Sequence, residues 1–119
     1  MMGLMSKLFG NRSRPEELDD GSIDAAIADT DEKPLLLQFY SDTCAPCRVM
    51  SGVMRDLQNQ LPDQIRVAKA NVAYATEHAG SYAIRSVPTV MIFRHGRMMN
   101  KITGLLPLDQ LHQRVKAYL

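Results

Sequence analysis

The hydrophobic pattern changes period several times along the chain. In "SIDAAIADT" Ile23, Ala26 and Ile27 fall at helical spacing behind Ser22 as N-cap, which predicts a helix near 22–29. "PLLLQFY" is apolar except for Gln38, the pattern of a strand buried on both faces. Beyond it Cys47, Met50, Met54, Leu57 and Leu61 recur at steps of three and four, so one apolar stripe runs along a helix stopped by Pro62. "IRVAKANV" reads as a strand and "YATEHAGSYAI" as a short helix. "TVMIF" and "RMMNKIT" then flank Arg94-His95-Gly96 as an antiparallel hairpin. A last helix starts near Pro107 with Leu108, Leu111, Val115 and Leu119 on one face. Strands separated by helices imply parallel crossovers, and the closing hairpin adds antiparallel pairing. The expected class is α/β, a central mixed sheet with helices on both faces.

Composition narrows the function. At 119 residues, 45% hydrophobic and 23% charged, the chain suits one domain, and no apolar run is long enough for a bilayer span. A net charge of +1 and the absence of Trp give no sign of a nucleic-acid face. The charges are nevertheless segregated. Residues 1–14 carry Lys7, Arg12 and Arg14 with no acid, whereas residues 16–32 hold eight acids and no base. Residues 1–18 are therefore expected to be a basic tail and linker, and 19–119 the domain. The tail lacks the apolar core and cleavage site of a secretory signal.

Both cysteines lie in "FYSDTCAPCRVM", at a strand-to-helix junction. Three readings are open for Cys44 and Cys47. They form a redox pair, or half of a metal site completed by two of His78, His95 and His112, or they are buried packing. The metal reading lacks a second close pair of ligands. The packing reading does not account for a cysteine at a helix start, where unpaired N–H groups favour a thiolate.

Over residues 20–119 the chain resembles the thioredoxin family. The resemblance rests on the buried "LLLQFY", the "CAPC" that opens a helix, Lys69 within "VAKANV", "RSVPT" matching the family's cis-proline loop, and Gly104 after the last strand. It implies the thioredoxin fold and a protein-disulfide oxidoreductase acting as a reductant. Cys44 would be the exposed attacking thiol and Cys47, one turn along, the enclosed resolving thiol. Thr43, Val87, Pro88 and Gly104 would form the substrate-docking surface, with a cis bond before Pro88. Ala45, Pro46, Gln38 and Lys69 would support the pair. The resemblance further implies no cofactor or metal beyond the redox-active Cys44–Cys47 disulfide. Its partners would be disulfide-bearing client proteins and a thioredoxin-reductase-like electron donor, with no nucleic acid, for a cytoplasmic monomer.

The sequence departs from the family pattern at four places, one of them Gly52, where many members carry a helix-kinking Pro. Thr43 and Ala45 stand where W-C-G-P-C has Trp and Gly. Gln38 replaces the buried acid that assists proton transfer at the resolving thiol, and Lys69 thereby loses the partner it has in the family. Because Thr43 and Gln38 weaken the expected machinery, an interaction or adaptor module with little turnover is the alternative class.

Overall fold

The computed structural model describes residues 15–119, so the basic segment 1–14 lies outside the described residues. The elements follow as β1 (Glu16–Leu18), α1 (Ile23–Ala28), β2 (Leu35–Tyr40), α2 (Ala45–Gln60), β3 (Arg66–Asn71), α3 (Thr76–Ser81), β4 (Thr89–Arg94), β5 (Arg97–Thr103) and α4 (Leu108–Lys116). They build one five-stranded sheet ordered β1-β3-β2-β4-β5. The first three neighbours are parallel, and β4 and β5 are antiparallel to their partners. This is the mixed sheet that the pattern predicts.

Side-chain alternation along β2 feeds two cores. Leu35, Leu37 and Phe39 join Ile23, Ala26, Ile27, Ala68, Ala70 and Met91 beneath α1 and α3. Leu36 joins Met50, Met54, Leu57, Val67, Val90, Leu111 and Val115 beneath α2 and α4. Burial on both faces explains the near-continuous apolar run, because a central strand has no solvent side to carry polar residues. The predicted stripe of α2 is buried along its length from Cys47 to Leu61. In α4 the stripe ends sooner: Leu111 and Val115 are buried, but Leu119 lies past the helix and is exposed.

Several details differ from the sequence reading. Strand β1 was not expected, and it lies within the segment assigned to tail and linker. It is three residues long and only Leu18 is buried, so it has no periodic signal. Its charges find partners on β3 instead: Glu16 accepts two hydrogen bonds from Arg66, and Glu17 lies 3.7 Å from Lys69. The hairpin turn is the two-residue His95-Gly96, both at positive φ, with Arg94 paired to Arg97.

From the sequence, the three histidines, on a helix, a turn and a helix, read as surface residues, but His78 is not one. It is 8% exposed, and each ring nitrogen faces a carboxylate, Nδ1 at 2.7 Å from Asp20 and Nε2 at 2.8 Å from Asp24. Asp20 also accepts the backbone N–H groups of Glu77 and His78, which caps the start of α3 from another part of the chain. Tyr82 packs beside the imidazole. Burial opposes the imidazolium, but the two carboxylates outweigh it and raise the His78 pKa. Burial likewise opposes charge on Asp20, and the hydrogen bonds from His78 and the backbone lower its pKa in spite of it.

A raised histidine pKa contributes stability that is complete below about pH 6.5 and lost as pH climbs through the folded value. The lowered Asp20 pKa contributes above about pH 4 and is lost as pH falls through its folded value. His78→Gln should therefore cost about 1–2 kcal/mol near pH 5.5 and clearly less at pH 9. Urea unfolding at the two pH values checks this, and an equal loss at both would mean that His78 is neutral.

Candidate active site

Strand β2 ends at Tyr40, and the Ser41–Thr43 turn leads into Cys44, the N-cap of α2. The turn is anchored twice. Cys44 N–H donates to the Ser41 carbonyl at 3.4 Å, and the Asp42 carboxylate accepts from Asn71 Nδ2 at 3.0 Å. Asn71 closes the arrangement by accepting Ala73 N–H on its own Oδ1. The first helical turn carries Ala45 and Pro46, both exposed. Proline fits here because the N–H it lacks would have no helical partner.

Cys44 and Cys47 form a disulfide, with Cα atoms 5.2 Å apart. Cys44 is partly exposed, whereas Cys47 is only 2% exposed. Cys47 N–H points at Cys44 Sγ from 3.1 Å, which is the donor a thiolate at that sulfur would accept. Cys44 is thus the more accessible of the two cysteines.

The segment before β4 comes to the same place. Val87–Pro88 is a cis peptide, and the Val87 carbonyl oxygen lies 3.7 Å from Cys44 Sγ. The loop is tied on both sides of Val87. Thr89 Oγ1 donates to the Ser86 carbonyl at 2.7 Å, and Gly104 N–H donates to the Pro88 carbonyl at 2.8 Å. Gly104 makes this bond at φ 88, a left-handed backbone that a side chain would strain. Thr43 is exposed in the turn directly before Cys44. The structure thus brings Cys44, Cys47, Val87, Pro88 and Gly104 into one neighbourhood.

Gln38 is 1% exposed, and its amide is used at both ends. Nε2 donates to the Cys47 carbonyl at 3.0 Å, and Oε1 accepts the Ser51 hydroxyl at 3.1 Å. The residue therefore ties β2 to the first turns of α2. Ser51 was missed by the sequence reading, although it lies four residues after Cys47 and hence on the same helical face. Lys69 pairs with Gln38 in register, but its ammonium turns to Glu17 and to the Tyr40 ring, 4.8 Å from the centroid. Tyr40 donates to the same Glu17 at 2.8 Å, and its burial, together with that carboxylate, raises the phenol pKa. A cleft of about 200 Å³ flanked by Cys47, Arg48, Ser51 and Lys69 opens beside this network. It has room for several waters beside Cys47.

Comparison with known proteins agrees with this geometry. The Thioredoxin family profile matches residues 15–117. The chain is 31% identical over 107 residues to Thioredoxin 1 of Nostoc sp., covering 90% of this chain and 99% of that protein. It is 34% identical over 94 residues to a thioredoxin of Alicyclobacillus acidocaldarius, with 79% and 88% covered. Against chloroplastic Thioredoxin Y of Oryza sativa subsp. japonica it is 33% identical over 93 residues, 78% of this chain but only 55% of that longer relative. Among solved structures, a mutant thioredoxin from Halobacterium salinarum superposes with a TM-score of 0.79 at 29% identity, covering 90% of this chain and 92% of that one. The sheet described above is the thioredoxin fold.

Gln38→Leu should lower stability by about 1–2 kcal/mol, because it removes two buried hydrogen bonds. Gln38→Asp should cost more at pH 8. An ionised carboxylate can accept from Ser51 but cannot donate to the Cys47 carbonyl, and burial raises its pKa. That excess disappears as pH falls through the folded pKa of the new acid. Urea unfolding of both variants at pH 5 and 8 checks the sign, and a pH-independent difference would mean that the carboxylate is solvated by the cleft.

Proposed function

We propose that this chain, which belongs to the thioredoxin family, is a thiol–disulfide oxidoreductase that works as a reductant of disulfides in client proteins. The observation that carries the reading is the disulfide at the start of α2, with a partly exposed Cys44 and an enclosed Cys47 beside a cis-proline loop. In the dithiol form the Cys44 thiolate attacks one sulfur of a client disulfide. The client S–S bond breaks and a Cys44–client mixed disulfide forms. Cys47 then loses its proton and attacks Cys44 Sγ, which releases the second client thiolate and closes Cys44–Cys47. Two electrons have passed to the client. A dithiol or reductase of the thioredoxin-reductase class returns them, so the chain needs no cofactor of its own.

Val87, Pro88, Thr43 and Gly104 serve docking in this reading. Pro88 has no N–H to compete for the client, and the adjoining backbone is available to an extended segment lying over Cys44. Gln38 cannot take the Cys47 proton, which leaves for the cleft beside Ser51. Among the described residues no helix is long and apolar enough to cross a membrane. A reducing, cytoplasm-like compartment suits a pair that must return to the dithiol. A monomer suffices, since every group used comes from one chain.

Reduction of insulin by dithiothreitol should be accelerated by the wild type and not by the variant with both cysteines replaced by Ser. In Cys47→Ser, mixed disulfides with clients should accumulate through Cys44. Equal trapping by Cys47 in Cys44→Ser would reverse the assignment, and no acceleration by wild type would favour the adaptor reading.

Proton handling gives a separate test. Stopped-flow single turnover should show faster resolution in Gln38→Asp at neutral pH, on the order of tenfold, below the usual range for acid–base assistance because solvent in the cleft already recovers part of it. An unchanged rate would place the limiting step elsewhere.

A further inference from the structure

The loop that carries Val87 and Pro88 leaves α3 through a stop of unusual composition. Ala83 N–H donates to the Gly80 carbonyl at 3.1 Å, and Ile84 N–H to the Ala79 carbonyl at 2.8 Å. Ala83 between them has φ 53. These are the paired bonds of a helix ending in a left-handed residue, a place usually filled by glycine because a Cβ is penalised there. Something must hold the alanine in that conformation.

Lys101 is placed to do so. It projects from β5, and its ammonium donates to the Tyr82 carbonyl at 2.7 Å and to the Ala83 carbonyl at 3.3 Å. Those are the carbonyls immediately before and after the Cα of Ala83. A cation also complements the negative end of the helix. Three residues farther on, Gly104 N–H holds the Pro88 carbonyl. The strand β5 and the residue after it thus grip the loop at its entrance, through Lys101, and at its exit, through Gly104. Residues 84–87 run between the two grips with Ile84 and Val87 packed on the core, and they end in the carbonyl that lies 3.7 Å from Cys44 Sγ.

We propose that Lys101 is a positioning residue for client docking: by fixing the left-handed turn at Ala83 it sets the course of residues 84–87 and so the place where a client backbone pairs beside Cys44. The proposal rests on the oxidoreductase reading. Lys101 touches neither sulfur, so its contribution falls on binding of clients that use the loop and not on the exchange of sulfur. Small disulfides without a peptide backbone do not need the loop.

Steady-state kinetics with a peptide disulfide and with 5,5′-dithiobis(2-nitrobenzoate) separate these effects. Lys101→Met should raise KM for the peptide about 2- to 5-fold, the range of an exposed charged contact, with kcat within about twofold of wild type. The rate with the small disulfide should not change. Lys101→Arg should restore most of the peptide KM. Ala83→Gly in the Lys101→Met background should recover part of it, since glycine adopts the turn without help. That last rescue distinguishes loop geometry from a direct attraction between Lys101 and the client. An unchanged peptide KM in Lys101→Met, an equal loss with both substrates, or no rescue by Ala83→Gly would overturn the proposal. A wild type inactive toward both substrates would overturn the oxidoreductase reading itself.

Discussion

The placement of β2 between β3 and β4 is the constraint on which the site depends. The strand is buried on both faces over Leu35–Phe39, so its register admits no slip that would carry Gln38 to the opposite core. Its last residues release the chain into Cys44, and its one buried amide holds the carbonyl of Cys47. Its antiparallel neighbour β4 begins where β2 ends, because Phe39 pairs with Thr89. Pro88 directly precedes Thr89. Two segments about forty residues apart in sequence therefore meet at the sulfurs as a consequence of strand pairing alone, with no long side chain needed to join them.

The two halves of the site are secured by different physics. The cysteine half rests on a sixteen-residue helix whose apolar stripe is wholly buried. The loop half is carried by a six-residue helix, too short to hold itself in water. That helix is instead fastened by charge at its ends, Asp20 on the first N–H groups and Lys101 on the carbonyls after the last turn. The short helix and its loop also rest Tyr82, Ile84 and Val87 on the core, so the polar contacts at its ends add to apolar packing and do not replace it.

Much of this was legible in the sequence, and the reasons are specific. The buried run of β2, the stripe of α2 and the Gly96 turn are consequences of local period and backbone freedom, which a sequence displays directly. The docking loop needed the family resemblance, since nothing in "RSVPT" by itself says that it returns to the cysteines. Strand β1 was missed because its two glutamates obey no alternation. They are satisfied by Arg66, Lys69 and Tyr40, fifty or so residues away for the first two. His78 was misplaced for the same reason. Its burial is made possible by Asp20 and Asp24, which in the sequence look like members of a solvated acidic run. Only Asp20 of that run is partly buried, and the other seven acids stay exposed.

Gln38 holds the start of α2 by geometry. A carboxylate at this place would be an acceptor only, able to take a proton but unable to bond the Cys47 carbonyl while ionised. The amide donates to that carbonyl and accepts from Ser51 at the same time, and it does so at any pH because it does not titrate. The enclosed cysteine is therefore held in one position whatever the proton inventory of the site. Under the proposed function the proton from its thiol needs another acceptor, and a cleft lined by Cys47, Ser51 and Lys69 opens beside it. On that reading the amide supplies position alone and leaves proton transfer to solvent, whereas an acid at this place could take the proton only from its ionised state, which lacks the bond to the Cys47 carbonyl.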